Sequence, residues 1–366
     1  MSEQAKEKKI ICITAGATGG HLFPALRTAE ILLTHIVIDE VVLFVPERAR
    51  QFLGGVNDRI RVVYCADIKF SLGFFKFLCD FLKLVSVAFC FLWQEKKIIS
   101  VLSFGSVIGI PFILGARFKG IPVVIHEQNV KWGRANACLS LFADKVAVSF
   151  PSDDNGFLSK KVIFSGLPLR KELDEAAKNR VKAYNSKSNV NILVLGGSQG
   201  SKSVNDLFIN ALENIIGSIT KKISIFHIAG INYNIEKLNS FYSTIGIDYK
   251  VTAFKENMAE AYLNADFVVS RAGSGTLNEI TAFGLGGILI PYPYAARHQY
   301  DNARFFLDAE ASLMFDELKN SVEDLSGFLL KFIEDEDFRK GFSLCSAKLY
   351  KRNAGEEIVK IVLNLI

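Results

Sequence analysis

The sequence predicts an α/β protein made of two Rossmann-like domains facing a cleft. Three observations carry this. An apolar strand runs into a glycine turn and a helix near the start, from Ile10 through His21. The same succession begins again at Asn191 and reaches its own glycine turn at Gly196 to Gly200. The chain has 366 residues, too long for one ordinary core and suited to two. Half of the residues are hydrophobic and only 8 are proline, which excludes a disordered chain.

Taken in order, Ile10–Ala15 is a continuous apolar run that ends in Gly16-Ala17-Thr18-Gly19-Gly20-His21, and a helical pattern follows from about Pro24 to Leu33. Val41–Val45, Ile98–Ser103 and Ile121–Ile125 read as further strands, each short, β-branched and bounded by glycine, proline or charge. Between them, Phe70 to Trp93 is long enough to span a bilayer. Lys76, Asp80 and Lys83 interrupt it at helical spacings and so share one face, which argues against a transmembrane span. Two readings stay open: an amphipathic helix docked on its own domain, or a membrane-surface patch. The phenylalanines, Trp93, Lys96 and Lys97 favour the patch.

The second half repeats the plan. Asn191–Leu195 is a strand, Gly196-Gly197-Ser198-Gln199-Gly200 the turn, and a helix runs through Val204–Leu212, with later strands at Ile223–Ile228, Phe267–Ser270 and Gly287–Pro291. Asp174–Ser188 is polar and reads as a linker. Ile358, Ile361, Val362 and Leu365 repeat at helical spacing in a closing amphipathic helix. The expected organisation is an N-terminal Rossmann-like domain over 1–165, a C-terminal Rossmann-like domain over 166–345, and a helix over 346–366 that returns to the first domain.

Composition narrows the partners. A net charge of +5 from scattered lysines, with no base-stacking aromatic motif beside them, suits anionic phosphates or an anionic membrane surface, and no nucleic-acid partner is expected. Six cysteines without a CxxC pair, mostly inside apolar runs, read as small buried hydrophobes with reduced thiols. The polar stretch Met1 to Lys9 carries no signal-peptide core, so a location on the cytoplasmic side is expected.

In open parallel sheets, ligands bind beyond the carboxyl ends of the strands. Glycine there lets the backbone approach a phosphate, and a helix N-terminus offers free N–H groups. Both glycine turns meet these conditions, and neither spells GxGxxG, which speaks against a dinucleotide. A third turn, Ser270-Arg271-Ala272-Gly273-Ser274-Gly275-Thr276-Leu277-Asn278-Glu279, follows a strand and opens a helix that Gly284 can end. Ser274 and Thr276 are its expected caps. Glu279 is placed to accept both hydroxyls of a ribose, or else only to balance the helix dipole. His126-Glu127-Gln128-Asn129 at a strand end is too polar to read as packing, and Arg297-His298-Gln299-Tyr300-Asp301-Asn302 follows another strand exit. Of the five histidines, His35 and His227 suit structural roles, and no metal-ligand spacing joins any of them, so no metal is expected.

These motifs, in order along the chain, resemble the MurG family of peptidoglycan N-acetylglucosaminyltransferases: Thr18-Gly19-Gly20-His21-Leu22-Phe23-Pro24, His126 to Asn129, Gly196 to Gly200, Arg271-Ala272-Gly273 with Glu279, and His298-Gln299 with Asn302-Ala303. The resemblance implies a GT-B fold and an inverting hexosyltransferase. It would move N-acetylglucosamine from UDP-GlcNAc to the muramyl sugar of lipid I (undecaprenyl-pyrophosphoryl-MurNAc-pentapeptide), forming lipid II in peptidoglycan synthesis. It implies no cofactor, and a peripheral place on the cytoplasmic face of the inner membrane. Carried over by motif, the substrate contacts are Thr18, Gly19, Gly20, Asn129, Arg170, Ser198, Lys255 through its backbone, Ser274, Gly275, Thr276, Leu277, Asn278, Glu279 and Gln299. Three departures stand out. The family's glycine-rich GxGGYxSxP stretch reads Phe104-Gly105-Ser106-Val107-Ile108-Gly109-Ile110-Pro111, Leu167 replaces an asparagine before Pro168, and Ala295-Ala296 stand where an acidic residue is common.

The implied chemistry is one in-line displacement at the anomeric carbon. A general base must lie within reach of the acceptor hydroxyl. His21 suits neutral pH and is the first choice, with Glu127 the alternative. Competing readings are a glycosyltransferase with another lipid acceptor, a UDP-sugar epimerase, a nicotinamide-binding dehydrogenase with Glu47 as its ribose acid, and a noncatalytic subunit.

Overall fold

The computed structural model describes residues 8–68, 74–95, 97–151, 159–179, 189–197, 200–294 and 297–366. Ser198 and Gln199, the end of the polar stretch at 180–188, Lys69 to Gly73, Lys96 and Ala295-Ala296 lie outside them. The chain divides into two compact units: Met1–Arg170 with Asn353–Ile366, and Lys171–Arg352.

The first unit is built on seven parallel strands: β1 (Ile10–Ala15), β2 (Glu40–Pro46), β3 (Ile60–Cys65), β4 (Ile98–Phe104), β5 (Val123–Glu127), β6 (Lys145–Val148) and β7 (Val162–Phe164). They lie in the order β3-β2-β1-β4-β5-β6-β7, so the winding reverses between β1 and β4. Alternation along β1 sends its side chains to two cores. Ile11 and Ile13 join helix α1 (Gly19–Leu32) and the last helix, α13 (Ala354–Leu363), through Leu22, Ala29, Ile358 and Val362. Ile10 and Cys12 join α2 (Phe74–Gln94) and α3 (Gly109–Phe118) through Leu84, Leu92 and Phe112. Phe44 sits between Phe112 and Phe91, with ring centroids 4.3 and 4.8 Å away.

The α2 helix buries Leu84, Ala88, Phe91 and Leu92 and leaves Phe75, Leu78, Leu82, Phe89 and Trp93 exposed. Beside Trp93 lies Phe118, 84% exposed at the end of α3. No helix among the described residues is long and apolar enough to cross a membrane.

After the short helices α4 (Arg134–Leu139) and α5 (Lys171–Lys178), the second unit repeats the plan. The stretch expected as linker therefore begins as helix, with Asp174 mostly buried and bonded to Lys178 and to the Tyr350 hydroxyl. The strands are β8 (Asn189–Leu195), β9 (Lys222–Ile228), β10 (Asp248–Thr252), β11 (Phe267–Ser270), β12 (Gly286–Leu289) and β13 (Leu313–Met314). Their order is β10-β9-β8-β11-β12-β13, all parallel, and the winding reverses between β8 and β11. Helices α6 (Lys202–Ile215), α7 (Ile235–Ile245), α8 (Ala259–Asn264), α9 (Ser274–Ala282), α10 (His298–Asp308), α11 (Val322–Glu334) and α12 (Glu336–Leu349) complete it. One core joins Ile192, Val194, Phe208, Leu212, Phe267, Val269 and Phe332. The expectation of buried cysteines holds only for Cys12 and Cys65. Cys79 and Cys345 are half-buried, and Cys90 and Cys138 are exposed, because an apolar run on a surface helix has an outer face.

Candidate active site

Each reversal in strand order opens a crevice at the carboxyl ends of the two strands beside it. In the first unit those ends carry the turn 16–20 after β1 and Gly105-Ser106 after β4. In the second they carry the turn 196–200 after β8 and Arg271 to Gly273 after β11. Three of these four segments are the turns expected to face a ligand, and the fourth is the loop that departs from the family's glycine-rich pattern.

Thr18 is the N-cap of α1, so Gly19, Gly20 and His21 form its first turn, five residues ahead of the expected start at Pro24. His21 is half-buried, and its Nδ1 lies 3.1 Å from the Thr18 hydroxyl. A Cβ on Gly105 would stand 3.6 Å from His21 Nε2, 3.7 Å from Gln128 Oε1 and 3.5 Å from Asn136 Nδ2, so these three polar atoms converge on that glycine. Gly105 and Ser106 both have left-handed backbones, with φ of 81° and 79°. The loop keeps a glycine's conformation although serine now occupies its second position. Such a conformation costs a non-glycine residue about 1–2 kcal/mol.

His126 and Glu127 are the last residues of β5, paired in register with Ala147 and Val148 on β6, and do not follow the strand as expected. The cluster that looked least like packing is mostly internal. His126 is fully buried, and its Nε2 lies 3.0 Å from the Gly166 carbonyl. A carbonyl only accepts, so Nε2 carries the hydrogen and Nδ1 accepts from Gln128 Nε2 at 3.2 Å. Burial lowers the His126 pKa to about 4. The Gly166 bond opposes the shift and His21 adds to it. Gln128 Nε2 also faces the Phe104 and His126 carbonyls, at 3.1 and 3.2 Å, which fixes the amide's orientation and leaves its buried Oε1 without a donor among the described residues.

The Glu127 carboxylate is 2% exposed and accepts four hydrogen bonds. Oε1 takes the Asn129 backbone N–H and side-chain amide at 2.9 and 3.2 Å, and Oε2 takes the Gly133 N–H and the Asn136 amide at 3.1 and 2.8 Å. It folds its own loop and holds the Asn129 side chain within it. Arg170 ends the first unit with its guanidinium carbon 5.0 Å from the centre of the Phe23 ring.

In the second unit, Gly200 shows why the turn needs glycine. Its φ is +75°, and a Cβ there would come within 2.4 Å of Gly230 Cα and 2.6 Å of the Ala229 carbonyl. Asn205 on α6 grips the same carbonyl at 2.9 Å and faces His227 Nε2 at 2.9 Å, while His227 Nδ1 meets the Tyr242 hydroxyl at 2.7 Å. Burial lowers the His227 pKa to about 3, so it is a neutral structural histidine, as its apolar setting suggested. Ser198 lies outside the described residues.

The cap of α9 differs from expectation. Gly273 is its N-cap, in an extended conformation with no side-chain bond, so Ser274 and Thr276 are first-turn residues whose N–H groups lie at the open end. Leu277 is fully buried with its N–H donating to the Gly273 carbonyl at 3.0 Å, and the buried Asn278 amide bonds back to the Ser274 carbonyl at 2.9 Å, so both act in the helix itself, contrary to the contact expected of them. Gly275 adds no side chain over that first turn. Gly284 follows the helix with φ +48°, as expected of a terminator. Glu279 is half-buried, and its Oε2 accepts from the Tyr262 hydroxyl at 2.7 Å. Lys255 pairs through Nζ with Glu260 at 2.9 Å, and Gln299 Oε1 accepts the Tyr292 N–H at 3.0 Å.

Sequence reasoning missed three contributors: Tyr262, the Gly133–Asn136 clamp on Glu127, and the set of acceptors around Arg271. Only Arg271 gave a signal, being a charged side chain directly after the short strand Phe267–Ser270, which must find partners when buried.

Residues 11–148 match the glycosyltransferase family 28 N-terminal domain, and residues 191–358 match the C-terminal domain of the same family. The chain is similar to the UDP-N-acetylglucosamine--N-acetylmuramyl-(pentapeptide) pyrophosphoryl-undecaprenol N-acetylglucosamine transferase of Thermodesulfovibrio yellowstonii, 31% identical over 97% of this chain and 98% of that one. The protein of the same name from Geotalea uraniireducens is 34% identical over 88% and 89%. Among solved structures, the crystal structure of Acinetobacter baumannii MurG superposes with a TM-score of 0.80 at 26% identity, over 97% of this chain and 99% of that one. With both family domains matched and such relatives aligned over nearly their whole length, this chain belongs to the MurG family of GT-B glycosyltransferases, within glycosyltransferase family 28.

Proposed function

We infer that the chain transfers N-acetylglucosamine from UDP-GlcNAc to the muramyl sugar of lipid I, releasing UDP and forming lipid II. One observation carries this most: ligand-facing turns flank the strand-order reversal of both units, in a chain that matches relatives of that named activity almost end to end.

The second unit supplies the nucleotide side. First-turn N–H groups of Ser274, Gly275 and Thr276 are suited to a phosphate, with Leu277 and Asn278 continuing the helix behind them. Glu279, steadied by Tyr262, is suited to the ribose hydroxyls. The Lys255 backbone, Gln299 and Ser198 complete the donor set carried over by motif, with Thr18, Gly19, Gly20, Asn129 and Arg170 from the first unit. The reaction is an inverting displacement in which the acceptor hydroxyl loses its proton as the bond to UDP breaks. His21 is the base. Its ring stands in the first turn of α1 at the end of β1, with Nδ1 3.1 Å from the Thr18 hydroxyl, whereas the Glu127 oxygens are already engaged by four donors. Developing charge on the leaving diphosphate is offset by helix N-termini and by Arg170.

The acceptor's lipid calls for the enzyme to work at the cytoplasmic face of the inner membrane as a peripheral protein. The exposed Phe75, Leu82, Phe89, Trp93 and Phe118, with Lys119 Nζ 5.2 Å from the Trp93 ring centre, form an apolar surface with a cation beside it. The test is transfer of labelled GlcNAc to a lipid I analogue carried in anionic or neutral vesicles, beside an incubation of donor alone. Labelled lipid II, formed faster on anionic vesicles, is expected. A new sugar nucleotide from donor alone would mean an epimerase, and UDP-GlcNAc binding without transfer would mean a noncatalytic subunit.

A further inference from the structure

We propose that Arg271 is a positioning residue for donor binding, locking the two ligand-facing turns of the second unit to each other, with Glu317 as the counter-charge that holds it there. The proposal rests on the reading of those turns as the nucleotide-diphosphate side.

Arg271 follows β11 directly and is 7% exposed. Each of its three side-chain nitrogens is engaged by protein. Nε donates to Ser201 Oγ at 3.1 Å and Nη2 to Ser203 Oγ at 2.6 Å. Nη1 reaches the Ile290 and Pro291 carbonyls at 3.0 and 3.2 Å and the Glu317 carboxylate. Ser201 is the N-cap of α6, its oxygen also accepting from the Val204 N–H, so the guanidinium grips the exit of the turn 196–200. The Arg271 backbone meanwhile begins the turn into α9, whose Ala272 carbonyl is held by the fully buried Asn302 at 3.1 Å. One planar group thereby joins the exits of β8, β11 and β12 to the segment after β13. A fork of fixed geometry can do this, and a lysine ammonium cannot. Its nitrogens are turned to protein acceptors, so it acts through the turns. A buried guanidinium without a carboxylate is strongly disfavoured, which gives Glu317 its role.

The experiment measures KM for UDP-GlcNAc, KM for the lipid I analogue, kcat and thermal midpoint for the full chain and for Arg271→Lys, Ser203→Ala, Glu317→Gln and Glu317→Leu. Losing a hydrogen bond to a charged group is expected to raise the donor KM of Ser203→Ala roughly tenfold. Arg271→Lys should raise it further, with acceptor KM unchanged in both. Glu317→Gln, which keeps an acceptor oxygen but removes the charge, should raise the donor KM nearly as much as Glu317→Leu. Should Arg271→Lys fail to fold, Ser203→Ala decides. A folded Ser203→Ala whose donor KM stays within about twofold of the original, below the span of one such bond, overturns the proposal alone. So does a parallel rise in donor and acceptor KM, the mark of general loosening. If the unaltered chain does not bind UDP-GlcNAc, the functional reading falls first and this proposal with it.

Discussion

The two units use one device and finish it differently. In both, a parallel sheet reverses its winding and sets two turns at the reversal. In the second unit these turns are braced from several sides: Gly200 lies against Gly230, Asn205 ties α6 to the end of β9, and Arg271, at the start of one turn, bonds to Ser201 and Ser203 at the exit of the other. In the first unit the facing loop holds two successive left-handed residues, Gly105 and Ser106, around a half-buried histidine. The contrast fits the two tasks. Under the proposed function, a nucleotide diphosphate is an invariant ligand best met by a fixed frame of N–H groups, whereas proton removal needs a basic side chain brought within reach of the acceptor hydroxyl.

The contrast can be broken in three places. The largest effect is expected for His21→Ala, which should cut kcat about 10²–10⁴-fold while the Kd for UDP, measured by calorimetry, stays within error. A kcat that survives would move the base elsewhere. Next, Gly200→Ala should destabilise the second unit by about 3–5 kcal/mol, because backbone overlap and a left-handed alanine add. Gly105→Ala meets nothing closer than 3.5 Å and should cost only the conformational ~1–2 kcal/mol. Equal denaturation midpoints for the two variants would erase the claimed difference in packing.

The smallest effect is in pH. His126 and His227 stay neutral in the folded chain down to about 4 and about 3, whereas the unfolded chain takes up protons near 6.5. The stabilisation is therefore complete above pH 6.5 and is lost as pH falls, by up to ~1.4 kcal/mol per pH unit for each histidine. Between pH 4 and 3 only His227 still contributes. Unfolding followed against pH should show a shallower slope for His227→Gln than for the original chain. An unchanged slope would mean the ring is already charged when folded.

The strands that face the core on both sides were legible as apolar runs, and β11 was placed to the residue. The strands not foreseen were β3, β6, β7, β10 and β13. These are two to six residues long, and several have a half-exposed face, so their register comes from a neighbour rather than from their own pattern. The end of β5 illustrates this. Pairing with β6 draws His126 and Glu127 into the sheet, and burial then turns a motif that looked ligand-facing into a mostly internal hydrogen-bond network. The inner face of α2 could not be told from its outer one by hydrophobicity alone, since both are rich in phenylalanine and leucine.

The sequence by itself determined the twin α/β plan, the glycine turns and the ordered motifs. These depend on local periodicity and on backbone freedoms that a residue type carries with it. What only the tertiary structure decided is how polar side chains divide between ligand and protein: Glu127 closes its own loop, Gln128 keeps one oxygen without a donor among the described residues, and Arg271 ties together strand exits far apart in the chain. The physical reason is that a hydrogen bond is a short-range pairing. Which partners come within about 3 Å is set by packing between segments that the sequence leaves far apart.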